Sequence, residues 1–364
     1  PVVAFEHADE PLIAPSTVVR ITPEDLYEPE PAPVVAQPVQ EPAVPIVAKK
    51  RRVPLWALPV AAVIVAAVAA PLPVTASFSI LGDVVKEVGG DRVAVTTLVG
   101  PDQDAHVFQP RPQDVKALAG ARLFVVNGLG FEGWMPRMSK AAGYKGATLV
   151  ASNGIRPLEQ DDDGHGHDDH AHGKADPHVW HNPQNVKVWV DNIAAELGRL
   201  DPAGQTAYRQ RATAYRQKLD ELDRQAGARF AAMTPEQRKV VTGHDAFAYL
   251  GQRYRIRFLA PQGVSTEAQA SARQVAMLIR QIRQEKVQAV FVENIADRRM
   301  IDQIARESGA RVGGKLYSDA LTRSGPASSY LGMMRYNLGE LANVMAPVAV
   351  ALIFSIKPSR TSTV

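Results

Sequence analysis

DPAGQTAYRQRATAYRQKLDELDRQAGARF, residues 201–230, is the stretch on which the fold turns. Tyr208, Ala212, Tyr215, Leu219, Leu222, Ala226 and Phe230 recur at three- and four-residue spacing, which puts them on one stripe of a single helix. Asp201-Pro202 is a good N-cap and first-turn pair. The spacing predicts one helix of about 30 residues, roughly 45 Å long at 1.5 Å per residue. That is too long for a crossover within one sheet. On either side, short apolar runs alternate with helical periods. Strands are expected at 74–79, 93–99, 122–127, 147–151, 239–243, 256–260, 287–292 and 310–317. Helices fit between them, as at 271–285, where Val275, Leu278, Ile279 and Ile282 share a face. This alternation predicts an α/β fold with mainly parallel sheets. The long helix, within 201–235, then acts as a rigid strut between an N-lobe (72–200) and a C-lobe (236–345). A long surface helix is the plainer alternative.

The chain has 364 residues, 46% of them hydrophobic, enough for two lobes and a large core. A net charge of +3 gives no basic stripe for nucleic acid. There is no cysteine, so disulfides, thiolate metal sites, cysteine nucleophiles and a lipid-modified Cys are excluded within these residues. Residues 1–52 carry eight acids and five bases, four of the bases in Lys49-Lys50-Arg51-Arg52. Ten prolines in residues 1–48 prevent a packed element there, so a disordered tail is expected. The apolar segment 53–71 follows the basic run and ends in small residues, the pattern of an export signal. An uncleaved membrane anchor is the other reading, since the run is about twenty residues long. Either way the body is expected outside the cytoplasm. The apolar part of 346–364 is too short to span a membrane, and no function is read from it.

Four residue types that ligate metals sit where strands should end: His106 in DAHVFQP, His178 in DPHVWHNP, His244 in VVTGHDAFAYL and Asp319 in KLYSDAL. In open α/β sheets, ligands bind outside the carboxyl ends of the strands. Three imidazoles and one carboxylate suit a borderline-soft cation of zinc size. Ligands scattered over more than two hundred positions meet only if the fold gathers them, which implies a cleft between the lobes. A helix beginning at His244 would disfavour its protonated form. Each residue alone reads more simply as a cap or a surface side chain, and only the group carries weight.

The segments ASFSILGD, GPDQDAHVFQPRPQDVKAL, VVNGLGFEGW, DPHVWHNP, VVTGHDAFAYLG, PQGVSTEAQAS, VFVEN and YSDAL resemble, in order, the zinc-type metal-binding proteins of bacterial ABC importers. The resemblance covers about residues 72–345. It implies two α/β lobes joined by a rigid helix, and a metal held between them by His106, His178, His244 and Asp319. It implies Zn2+ as bound cargo, an ABC permease as partner, a monomer and no catalysis. In such proteins a His at the third ligand position goes with zinc, and a carboxylate there with manganese. This chain departs from some zinc members in having Ala105 before His106 and in lacking cysteines.

Residues 161–178 read DDDGHGHDDHAHGKADPH. His165, His167, His170 and His172 lie in this tract, which has no apolar period and is expected to be a loop. Neutral imidazoles at this density hold metal transiently, so a zinc-collecting loop at 161–174 is expected. A solvated acidic spacer is the plainer alternative. His165–His170 also spells HxHxDH, the zinc motif of a hydrolase family that uses metal-bound hydroxide. That motif needs a preceding apolar strand, and DDDG stands there instead. A surface adhesin on the same fold is a further alternative, since fold does not settle function.

Glu132 and Glu293, and His181 and Asn182 beside His178, are candidates to orient the imidazoles. Trp134, Trp180 and Trp189 read as core. The expected function is an exported, periplasmic zinc carrier serving an ABC permease. Its membrane contact runs through the permease or through an uncleaved N-terminal segment. Manganese is the alternative metal. Release needs a ligand to swing away, and Asp319 is the expected mover.

Overall fold

The computed structural model describes residues 70–159, 175–287 and 289–346. The acidic tail, most of the signal-like segment, the histidine-rich tract 161–174 and the C-terminal tail after residue 346 lie outside the described residues. No helix among the described residues is long and apolar enough to cross a membrane.

The first half runs β1 (Leu72–Phe78), α1 (Ser79–Gly89), β2 (Val93–Val99), α2 (Pro112–Ala119), β3 (Leu123–Val126), α3 (Met135–Ala142), β4 (Ala147–Val150) and α4 (Pro183–Leu200). The long helix α5 (Gln205–Ala231) follows. The second half runs β5 (Lys239–Val241), α6 (Ala248–Tyr254), β6 (Arg257–Leu259), α7 (Ala272–Glu285), β7 (Ala289–Glu293), α8 (Arg298–Ser308), β8 (Arg311–Leu316) and α9 (Tyr330–Met345). Each strand read from the sequence forms, with ends that match the expectation or lie one or two residues inside or outside it. The strands make two four-stranded sheets, ordered β2-β1-β3-β4 and β6-β5-β7-β8. Every pairing is parallel. The same order therefore occurs twice, with the first and third strands of each half at the centre. Those central strands are apolar almost throughout (LPVTASF, LFVV, AVFVE) and nearly every residue in them is buried. Parallel sheets covered on both faces select such runs.

The interior joins the halves. One continuous apolar cluster runs from Phe78, Phe124 and Trp189 through Tyr208, Tyr215, Leu219 and Phe230 to Phe291, Tyr330 and Leu341. A second cluster, including Val241, Leu278, Ile282, Val290 and Ile304, fills the space under α7 and α8. Trp134, Trp180 and Trp189 are buried, as expected for core residues. Helix α5 packs against α1, α4, α6 and α9. Its buried face includes Tyr208, Ala212, Tyr215, Leu219, Leu222, Ala226 and Phe230, the stripe read from the sequence.

The start of that helix differs from the expectation. Residues 201–230 do not form one helix from Asp201: Pro202–Gly204 is a 3-10 turn, and α5 begins at Gln205 and spans 27 residues. Asp201 ends α4. Its carboxylate accepts from Arg92 at 2.8 and 2.9 Å and from the Tyr208 hydroxyl at 2.8 Å. These charge-assisted contacts hold the carboxylate against Arg92 and Tyr208 at the junction between α4 and the 3-10 turn.

Candidate metal centre

Four loops at the carboxyl ends of strands converge. His106 follows β2, His178 lies on the loop after β4, His244 follows β5, and Asp319 follows β8. One ligand atom from each residue lies within 4.8 Å of the others, and all four residues are buried. The Nε2 atoms of His106, His178 and His244 stand 3.4, 3.6 and 3.2 Å from the Asp319 carboxylate. The three imidazole centroids are 5.4–5.9 Å apart. These three Nε2 atoms and both Asp319 oxygens are buried and have no hydrogen-bond partner. Buried polar groups are ordinarily satisfied. Five unsatisfied donor-set atoms facing one point are what a cation site requires.

Carboxylates behind two of the rings set their orientation. Asp176 Oδ1 lies 2.8 Å from His178 Nδ1 and also accepts the His178 backbone N–H at 2.9 Å. Glu293 Oε2 lies 2.6 Å from His244 Nδ1. Glu293 Oε1 accepts the backbone N–H groups of Gly243 and His244 at 2.7 and 2.9 Å. A Cβ on Gly243 would stand 3.0 Å from that oxygen, so a side chain there would crowd the grip. A carboxylate at Nδ1 favours the tautomer that leaves the Nε2 lone pair for a cation. His106 is held differently. Asp104 Oδ1 accepts its backbone N–H at 2.9 Å, Phe131 packs edge-on at 4.8 Å, and Trp134 Nε1 donates to the Ala105 carbonyl at 2.9 Å.

The electrostatics follow from this packing. Burial by itself would lower the His244 pKa, but the charges of Glu293 and Asp319 raise it well above the ordinary imidazole value. Burial would raise the Asp319 carboxyl, yet the facing imidazoles of His244, His178 and His106 hold it well below the usual carboxylate range. The helix expected to begin at His244 and keep it neutral does not start there: α6 begins at Ala248. The Asp245 N–H bonds to Gln262 O at 3.1 Å, holding this part of the chain in a bridge between His244 and Gln262. The two adjacent carboxylates then decide the charge of His244.

Of the four residues expected to orient imidazoles, Glu293 is the one whose carboxylate stands beside a ring, that of His244. Glu132 is bonded elsewhere: it accepts from Ser77 Oγ at 2.7 Å and from the backbone N–H groups of Asn127 and Gly128 at 2.7 and 3.0 Å. It shapes the end of β3, and burial outweighs those bonds to raise its pKa. Asn182 caps α4, accepting the Gln184 N–H at 3.0 Å. His181 is buried with both ring nitrogens lacking a hydrogen-bond partner, and its ring centroid is 4.5 Å from that of Phe247. Burial, then repulsion from His178, lowers its pKa to about 3, so it stays neutral. The residues missed from the sequence are Asp104 and Asp176. Their signal was the repeated D-x-H of Asp104-Ala-His106 and Asp176-Pro-His178. His165, His167, His170 and His172 lie outside the described residues. The described chain on either side of them is joined by a bridge between Glu159 and Ala175.

The sequence matches, over residues 74–344, the family described as zinc-uptake complex component A, periplasmic. It is 30% identical over 278 residues to the manganese ABC transporter substrate-binding lipoprotein PsaA of Streptococcus pneumoniae, covering 74% of this chain and 88% of that one. It is 29% identical over 282 residues to the iron ABC transporter substrate-binding lipoprotein MtsA of Streptococcus pyogenes serotype M1, covering 76% of this chain and 89% of that one. Its fold superposes on the periplasmic zinc-binding protein TroA of Treponema pallidum with a TM-score of 0.70 at 28% identity, covering 76% of this chain and 99% of that one. With this match and this twice-repeated parallel sheet, the chain belongs to the zinc-uptake complex component A family, as a metal-binding substrate-binding component of an ABC importer and not an enzyme.

Proposed function

We propose that this protein carries Zn2+ outside the cytoplasm to an ABC permease, with His106, His178, His244 and Asp319 as the ligands. One observation carries the reading: three imidazole nitrogens and one carboxylate, all buried, lie within 4.8 Å of one another. A closed set of four protein ligands favours tight holding, because no position remains for a reactive water. The cation is cargo, and its arrival displaces protons from the site.

A manganese reading draws on a specific observation too. Both Asp319 oxygens are unpartnered, so the carboxylate can bind through both and raise the coordination number, which suits manganese better than a four-ligand site does. The relatives named above carry manganese, iron and zinc in their names. Any such nitrogen-rich site binds zinc more tightly than manganese in vitro. The informative measurement is therefore the metal that co-purifies from cells grown with both ions. One zinc per chain supports the proposal; stoichiometric manganese replaces it with the alternative.

The same reading takes 72–200 and 236–345 as lobes joined by α5, and the protein as a monomer. It places the protein in the periplasm, with membrane contact through the permease or through residues 53–71. It also gives 161–174 a collecting role. Unchanged transfer of zinc from a donor after deletion of 161–174 would remove that role.

A further inference from the structure

The four ligands are buried, so a cation enters or leaves only if something moves. The segment carrying Asp319 is tied down across the cleft. The Ser318 carbonyl accepts Trp180 Nε1 at 2.8 Å, and Leu321 N–H donates to Ser79 Oγ at 2.9 Å. The Asp102 N–H donates to the Leu321 carbonyl at 2.8 Å. The segment from Gln262 to Ser271, between β6 and α7, is different. None of its residues is buried. Cavities of ≈ 580 and ≈ 760 Å³ flank it, and Gln262 lines both. At its root it is bonded to the His244 strand end, through the Asp245 N–H to Gln262 O at 3.1 Å. Among the described residues it makes one hydrogen bond to the first half of the chain: Thr266 Oγ1 donates to Asp104 Oδ2 at 2.6 Å. The other oxygen of that carboxylate holds the His106 backbone N–H.

We propose that the Thr266–Asp104 hydrogen bond is the latch of metal exchange. It closes segment 262–271 over the site, and its breaking lets that segment swing into the flanking cavities and open a path to the ligands. Asp104 is a positioning residue that couples the closed segment to His106. The bond is charge-assisted and partly shielded, so it is stronger than a neutral one. It lies outside the ligand set, so it controls passage and not the strength of the metal bonds. This inference rests on the metal-carrier reading above.

The test compares the full chain with Thr266→Val and Thr266→Ser, measuring zinc capture by stopped flow and zinc release into excess chelator. Loss of the hydroxyl should speed capture and release together, each by about ten-fold, the size of one charge-assisted hydrogen bond. The dissociation constant should move by less than about three-fold, and Thr266→Ser should restore both rates. A merely structural weakening would raise release alone, and that result, or rates within two-fold of the parent in Thr266→Val, overturns the latch. A parent chain that binds no zinc tightly would instead reject the carrier reading and the latch with it.

Discussion

At the residue scale, the site is a set of lone pairs aimed by carboxylates. Asp176→Asn or Glu293→Gln should weaken zinc binding by about 10–100-fold, since the imidazole behind each change loses its orienting acceptor. Competition titration checks this. Asn182→Ala should cost about 1 kcal/mol of stability through its lost helix cap and leave zinc affinity unchanged; a large affinity loss would mean that Asn182 touches the site after all. The pH dependence has a definite sign. The charges of Glu293 and Asp319 raise the pKa of His244 in the metal-free protein, so a cation must compete with a proton there. Zinc affinity should therefore fall steadily as pH falls from 8 to 5, and a flat profile would contradict the account. For folding without metal the sign reverses. The raised His244 contributes stability that is present below its ordinary pKa of about 6.5 and is lost as pH rises through the raised value. The lowered Asp319 contributes stability above the ordinary carboxylate range that is lost as pH falls through its depressed value. Metal-free melting temperature should thus decline on the alkaline side, where the zinc-bound form gains. The clustering of these residue types was legible because His106, His244 and Asp319 closely follow strands, whereas His178 lies in the long loop after β4. The orienting residues were half legible. Glu293 was marked by its place at the end of VFVE, whereas Asp104 and Asp176 act through two-residue turns that no hydrophobic period announces.

At the scale of elements, α5 shows how propensity and tertiary contacts divide the work. Its apolar stripe was readable because 3.6-residue periodicity survives in any packed helix. Its first residue was not, because Asp-Pro opens a 3-10 turn as readily as an α-helix, and the Asp201 carboxylate is engaged by Arg92, 109 positions away, a contact that no local pattern announces. Arg92→Ala should lower stability only slightly, the pair being partly exposed, and leave metal stoichiometry intact. Leu219→Ala, at a fully buried position of α5, should cost about 2–5 kcal/mol. Chemical denaturation of both variants checks the contrast. Equal effects would mean that α5 is not held mainly by its apolar face. The delayed start of α6 has a similar origin: the bond from Asp245 to Gln262 is a long-range pairing, invisible to a local reading of GHDAFAYL.

At the scale of the molecule, two sheets of the same strand order present their carboxyl ends to one point, and each half supplies two of the four donors. The apolar cluster that runs from the first sheet through α5 into the second makes the halves one interior, which limits how far they can separate. Small segments then remain as the moving parts, as in the latch between Thr266 and Asp104. The two-sheet plan was legible because parallel strands buried on both faces write themselves as apolar runs. The ties between loops of the two halves were not, because they depend on contacts such as Trp180 to Ser318 and Thr266 to Asp104, between positions more than a hundred residues apart. The most direct test of the account is metal stoichiometry of the full chain beside His106→Ala/His178→Ala/His244→Ala, measured by titration and elemental analysis. The account predicts one tight divalent ion per parent chain, lost in the triple variant while any weaker binding by His165, His167, His170 and His172 persists. Tight binding that survives the triple change would show that the buried cluster is not the metal centre.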